Sequence, residues 1–162
     1  MNTPIRAAVI TVSDACSRGE RNDDSGAALV ELLREMGAVI VRTRVLSDEP
    51  DPLVQALKDL SSRSDINLIV TTGGTGLGPR DNTPEATREV IEREAPGIVE
   101  AIRAESLKVT PMAMISRGVA GVASGTLIIN LPGSPKAVSE SFAVIKPVLA
   151  HAVDLLSGKT RH

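Results

Sequence analysis

Short apolar runs alternate with helical segments along almost the whole chain, and that alternation restricts the fold more than any other feature. Ala7-Ala8-Val9-Ile10-Thr11-Val12 is apolar and rich in β-branched residues, the signature of a buried strand. Leu29, Leu32, Leu33 and Met36 then recur at i, i+3, i+4 and i+7, with Gly37 placed as a C-cap. Ala38 to Leu46 reads as a second strand, and Asp51-Pro52 as the N-cap and first position of a helix with Val54, Leu57 and Leu60 inward. Ile66 to Val70 is a third strand that runs into a glycine-rich turn. Thr83-Pro84 opens another helix, which Ala95-Pro96-Gly97 breaks before a further helical stretch towards Lys108. Thr126 to Leu131 is a late strand. Ser134-Pro135 opens a final helix with Val138, Phe142 and Ile145 on one face and a bend expected at Pro147. Strands that are apolar throughout and alternate with helices imply a mostly parallel sheet covered on both faces, a three-layer α/β/α fold.

With 162 residues the chain suits one domain, expected to span 1–162, with a single core. Phe142 is its one aromatic residue, so that core must be made of aliphatic side chains. The same lack argues against single-stranded nucleic-acid binding, which stacks bases on aromatic rings. Net charge is −2 with no basic run, so no phosphate-backbone footprint is present either. Cys16 stands alone, which excludes an internal disulfide and a cysteine zinc site. No apolar stretch is long enough to span a membrane and no signal segment precedes the first strand, so the expected address is cytoplasmic.

The unusual polar clusters all fall just after strands. Ser13-Asp14 follows the first and Asp48-Glu49 the second; Thr71-Thr72-Gly73-Gly74-Thr75-Gly76 closes the third; Pro132-Gly133-Ser134-Pro135-Lys136 follows the late one. In an open parallel sheet these carboxyl ends share one rim, where ligands bind. Glycines let backbone N–H groups approach an anion, although the spacing matches neither a Walker A loop nor a dinucleotide fingerprint. The alternative for the loop is an ordinary strand-to-helix turn, but Gly78-Pro79-Arg80-Asp81 prolongs it beyond what a turn requires. Ser134 and Pro135 suit a helix start, where Lys136 is out of place unless an anion joins it; a capped helix with a solvated Lys is the plainer reading. Asp48 and Asp81 are candidate magnesium carboxylates, a metal commonly held by one or two carboxylates and substrate phosphates. Each has an equally ordinary role open to it, Asp48 as a turn residue before Pro50 and Asp81 as a cap before Thr83-Pro84. His151 fits a helix face and His162 is terminal, so no nucleophile–base pair points to hydrolysis.

Four stretches in this order resemble the MogA/MoaB family of molybdopterin adenylyltransferases, to which the gephyrin G domain is similar. They are the loop Thr71 to Gly76, Arg80 to Thr87, Thr110 to Arg117, and Thr126 to Pro135. The resemblance implies a homotrimer of α/β domains that binds ATP, Mg²⁺ and molybdopterin, forms adenylyl-molybdopterin and releases pyrophosphate. It implies that Asp48 and Asp81 bear on metal and nucleotide and that Gly73, Gly74, Thr75 and Gly76 form the nucleotide loop. Ser13 and Asp14 match the start of the pocket floor, Ser116 a hydroxyl on the pterin side, and Gly133, Ser134, Pro135 and Lys136 the phosphate region. Asp24-Ser25-Gly26-Ala27 departs from the pattern, since relatives often carry Pro at its fourth place. No second, MoeA-like domain is present in these residues, so hand-off to a separate molybdate insertase is expected. The rival reading is a pterin-binding trimer that carries or scaffolds without turnover. A nucleotidyl transferase with another acceptor is a further alternative.

Overall fold

The strand order shows how the alternation is used. In the computed structural model, which describes residues 2–159, six strands form one sheet in the order β2-β1-β3-β6-β5-β4. These are β1 (Arg6–Val12), β2 (Val39–Leu46), β3 (Leu68–Thr72), β4 (Arg93–Glu94), β5 (Ala120–Ala123) and β6 (Thr126–Leu131). β2, β1, β3 and β6 run parallel; β5 pairs antiparallel with β6 and β4 antiparallel with β5, so β5 alone reverses direction among the described strands.

Residues alternate between the two faces of each central strand, and the core splits accordingly. Ala7, Val9, Leu68, Val70, Leu127 and Ile129 pack under α2 (Asp24–Glu35), α5 (Pro96–Leu107) and α6 (Pro135–Leu156), with Phe142 in the same layer. Ala8, Ile10, Ile69 and Ile128 pack under α3 (Pro50–Ser61) and α4 (Thr83–Val90). Helices therefore cover both faces, and the fold is the three-layer α/β/α arrangement expected from the strand pattern.

Local expectations needed correction in several places. α3 starts at Pro50, not after Asp51; Glu49 is its N-cap and makes no side-chain capping bond. Either proline tolerates the first turn, where an N–H has no partner to lose. β3 begins two residues later than the apolar run and includes Thr71 and Thr72, which stay in register with Ile10 and Thr11 of β1. β2 is not apolar throughout: it is one of the two edge strands, partly exposed, and carries Arg42 and Arg44, charges that suit an edge. The short strands β4 and β5, the single-turn helix α1 (Asp14–Ser17) and a 3-10 helix (Pro111–Ile115) carry too few residues for a periodic signal. α6 runs through Pro147 as one helix. At the departure from the family pattern, the Ala27 N–H donates to the Asp23 carbonyl at 3.1 Å, a bond a Pro would forgo. His162 lies outside the described residues. Among the described residues, no helix is long and apolar enough to cross a membrane.

One buried polar cluster stands inside the sheet. Asn130 donates to the Thr71 and Thr87 hydroxyls, both at 3.0 Å, and accepts from the Val119 N–H at 3.1 Å. Both donors and the oxygen are occupied, so its burial carries little desolvation penalty. This triad locks β3, β6 and α4 together just below the rim.

Candidate active site

The carboxyl ends of β1, β2, β3 and β6 open on a cavity of about 390 Å³, within the range of small-molecule sites. Its walls include Ser13, Asp48, Gly73, Gly74, Asp81 and Gly133, together with Ser134 and Pro135. Residues from the four separate rim clusters therefore meet in one crevice.

β1 and β2 are joined at this end by a reciprocal pair of bonds. The Asp14 N–H donates to Asp48 Oδ2 at 2.9 Å, and the Asp48 N–H donates to Asp14 Oδ1 at 3.0 Å. Ser13 caps α1, its Oγ accepting from the Cys16 N–H at 3.2 Å. Arg80 grips Asp14 with two parallel bonds, Nε to Oδ2 at 2.6 Å and Nη2 to Oδ1 at 3.0 Å, and reaches Glu49 at 3.1 Å. The two aspartates consequently differ. The Arg80 guanidinium, helped by the Asp48 N–H, holds the Asp14 carboxyl down at about 2. Burial pushes the Asp48 carboxyl up, and the like charges of Asp14 and Asp81 add to it, outweighing the Asp14 N–H bond. Asp14 is thus committed to a structural bridge, whereas Asp48 faces the cavity with an under-compensated charge.

The glycine turn follows β3. Gly73 and Gly74 have φ of +97° and +69°, in the left-handed region. A Cβ on Gly73 would strike the Val12 carbonyl, and one on Gly74 the Thr83 hydroxyl, so both conformation and space demand glycine. The Thr72 hydroxyl donates to the Pro132 carbonyl at 2.7 Å, which ties this turn to the loop after β6. There Ser134 caps α6, accepting from the Ala137 N–H at 3.2 Å, with Pro135 at the first position. The positive end of a long helix thereby faces the cavity.

Not every expected residue reaches this crevice. Thr75 and Gly76 turn away from it; their carbonyls accept from the Arg117 N–H and Nε, both at 2.8 Å. Lys136 lies outside the lining, with its side chain 79% exposed and 3.9 Å from Glu140. The plainer expectation, a solvated Lys on a capped helix, fits that placement, because the first turn of α6 points it outward. The cation that lines the cavity is Arg21, from the segment between α1 and α2, which the strand-end pattern had no means of selecting. Cys16 is there too, its thiol 3.6 Å from the Asn22 carbonyl. Ser116 is absent from the lining of this crevice and borders a second cavity of about 200 Å³ with Met112 and Pro132.

The donor set suits magnesium. Asp48 and Asp81 each use Oδ2 for a backbone N–H, from Asp14 and from Gly78 at 2.9 Å. Each Oδ1 has no hydrogen-bond partner among the described residues. Among those residues, no group of three or more metal-binding side chains occurs. A metal held here would therefore complete its shell with water and ligand phosphate oxygens, as magnesium does.

Fold and crevice together define an α/β domain with an open crevice at the carboxyl edge of a parallel sheet. A family model described as a probable molybdopterin binding domain matches residues 8–151, and the chain belongs to that family. It is 39% identical over 156 residues to a molybdopterin adenylyltransferase of Helicobacter pylori, covering 95% of this chain and 89% of that protein. It is 46% identical over 149 residues to the molybdenum cofactor synthesis protein cinnamon of Drosophila melanogaster, and the match spans 91% of this chain but 25% of that longer protein. The molybdopterin biosynthesis enzyme MoaB of Thermus thermophilus superposes with a TM-score of 0.89 at 47% identity, covering 95% of this chain and 97% of that one.

Proposed function

We propose that this chain is a molybdopterin adenylyltransferase, which transfers AMP from Mg-ATP to the phosphate of molybdopterin and releases pyrophosphate. The observation that carries the reading is the meeting of Asp48, Asp81 and the Gly73-Gly74 turn on one cavity, in a chain that aligns with nearly all of a relative of that name. A phosphate oxygen of the pterin attacks the α-phosphorus of ATP, the bond from that phosphorus to the bridging oxygen breaks, and its electron pair leaves with pyrophosphate. The step needs no protein nucleophile.

Catalysis then rests on alignment and on charge. Asp48 and Asp81 would hold Mg²⁺, which supplies charge neutralisation on the triphosphate. The Gly73-Gly74 turn and the start of α6 at Ser134 and Pro135 receive phosphate oxygens through backbone dipoles, with Arg21 as the cation at the wall. Ser13 and Gly133 form the floor. Ser116 serves the pterin from the second cavity, which Pro132 lines beside Gly133 of the first. Pyrophosphate production from ATP, followed with and without molybdopterin, tests the reading. Release that depends on both substrates is expected; pterin binding without release would favour the carrier.

The same reading includes a homotrimer and hand-off of adenylyl-molybdopterin to a MoeA-like insertase. Support for assembly comes from exposed apolar side chains around the 3-10 helix, Val109, Met112 and Met114 being 55%, 63% and 69% exposed. Light scattering should give three times the 17.0 kDa protomer mass. A monomer at micromolar concentration overturns that part.

A further inference from the structure

Asp81 sits at the end of the loop that follows Gly74, and that loop has little of its own to hold it. Residues 77–80 are exposed, and Leu77, 66% exposed, packs into no core. Inside the loop, the Asp81 N–H donates to the Gly78 carbonyl at 3.0 Å and the Gly78 N–H returns to Asp81 Oδ2 at 2.9 Å. These bonds shape the turn but do not fix where it sits.

Arg117 does that. It follows the 3-10 helix, and its backbone N–H donates to the Thr75 carbonyl at 2.8 Å. Its guanidinium then spreads over both ends of the loop: Nε donates to the Gly76 carbonyl and Nη2 to the Asp81 carbonyl, each at 2.8 Å. Nη1 meets the Glu85 carboxylate in the first turn of α4, and the Arg117 side chain is 30% exposed. One planar fork thus pins the residues on either side of the turn, including the backbone of Asp81 itself. A lysine has a single point of charge and cannot address three acceptors in one plane. The other tethers, the Thr83 N–H to the Gly74 carbonyl at 3.1 Å, the Asn82 amide to the Arg80 carbonyl at 3.1 Å and the Arg80 fork on Asp14 and Glu49, do not reach the Gly76 or Asp81 carbonyl.

We propose that Arg117 is a positioning residue, whose clamp on the Gly76 and Asp81 carbonyls sets the Asp81 carboxylate against the metal and nucleotide. This rests on the function proposed above. A displacement of about 1 Å in such a group costs on the order of 10²-fold in rate.

The test uses the full chain with Arg117→Lys, Arg117→Ala and Glu85→Gln. Amide hydrogen exchange at Gly78 and Asp81 should quicken about tenfold or more in both Arg117 variants. The magnesium concentration for half-maximal adenylyl transfer should rise and kcat fall, while KM for molybdopterin stays near the wild-type value. Glu85→Gln keeps both carbonyl bonds and should lose much less on every reading. Folded Arg117 variants with wild-type exchange and magnesium dependence overturn the proposal. So does Glu85→Gln loosening the loop as much as Arg117→Lys, since the ion pair would then be the tether. An Arg117→Lys chain that fails to fold assigns Arg117 to the fold alone. Wild-type protein without adenylyl transfer overturns the function itself, and a loop loosened only in the Arg117 variants would then leave a clamp without that task.

Discussion

In the middle of the sheet, Val9 of β1 lies beside Val70 of β3, which lies beside Ile129 of β6, all three essentially inaccessible to water. A few residues further along, Ser13, Thr72 and Gly73 are held by hydroxyls, carbonyls and backbone N–H groups. The middle is held by close-packed apolar area, which is non-directional and responds to volume. The rim is held by directed bonds between groups far apart in sequence, which respond to charge and angle. Substitutions should therefore separate: mid-sheet changes lower stability, and rim changes lower activity while the fold persists.

The largest effect is expected in the core. Phe142→Ala removes the biggest fully buried side chain and leaves a cavity under α6, at a cost of about 3–5 kcal/mol. Chemical denaturation measures it; a loss under about 1 kcal/mol would mean that the layer collapses around the gap and the contrast with the rim is weaker than drawn.

Next come the cavity carboxylates. Asp48→Asn and Asp81→Asn each keep size but remove the charge a metal requires, and adenylyl transfer should fall on the order of 10²-fold or more, about 2.7 kcal/mol of transition-state stabilisation. The double variant should be little worse than either single one, because the two act together. Thermal unfolding of all three should stay close to wild type. If either single variant releases pyrophosphate at a near-normal rate in saturating magnesium, that residue leaves the mechanism.

Titration gives a smaller and sharper contrast within the rim itself. Asp14, held at about 2 by Arg80, contributes stability that is present above the ordinary carboxylate value and is lost as pH falls towards about 2. Asp48, pushed up by burial, has the opposite sign: its contribution is present at low pH and is lost as pH rises through its raised value. Carboxyl carbon shifts followed by NMR should show Asp14 protonating at lower pH than Asp48 in the metal-free protein. Arg80→Ala should move Asp14 up towards the usual range. Equal midpoints for the two aspartates would erase the distinction between bridge and metal group.

Lys136→Ala should do least. Its partner is Glu140, one turn along α6, and both side chains reach solvent; such a pair contributes about 0.3–0.5 kcal/mol. Nucleotide affinity should stay within about twofold, under 0.5 kcal/mol. A larger loss would bring Lys136 back into the site through a ligand-bound rearrangement of its side chain.

Much of this was legible from the chain. The parallel strands, their buried faces and the convergence of Asp48, Asp81, Gly73 and Gly133 follow from apolar runs ending in polar clusters, because a strand's carboxyl end marks its place on the rim. Arg21, Arg80 and Arg117 were not legible in their roles. Arg80 was visible as part of a long loop and Arg117 as the end of a family motif, but their partners Asp14 and Asp81 lie 66 and 36 positions away. Thr75 and Gly76 belong to the glycine-rich string by sequence, yet the chain turns between Gly74 and Thr75 and sends their carbonyls to Arg117 instead of the cavity.

Layer order and the identity of the rim were written along the chain itself, since periodicity and strand-end chemistry are local and each residue's own neighbours reveal them. Which aspartate carries an arginine, and which stays free for a ligand, was settled only by the folded arrangement. The same holds for the cation that lines the crevice and for the outward turn of Lys136. These depend on directions and distances between segments that meet only once the sheet has formed, and a charge's environment is a property of what surrounds it in space.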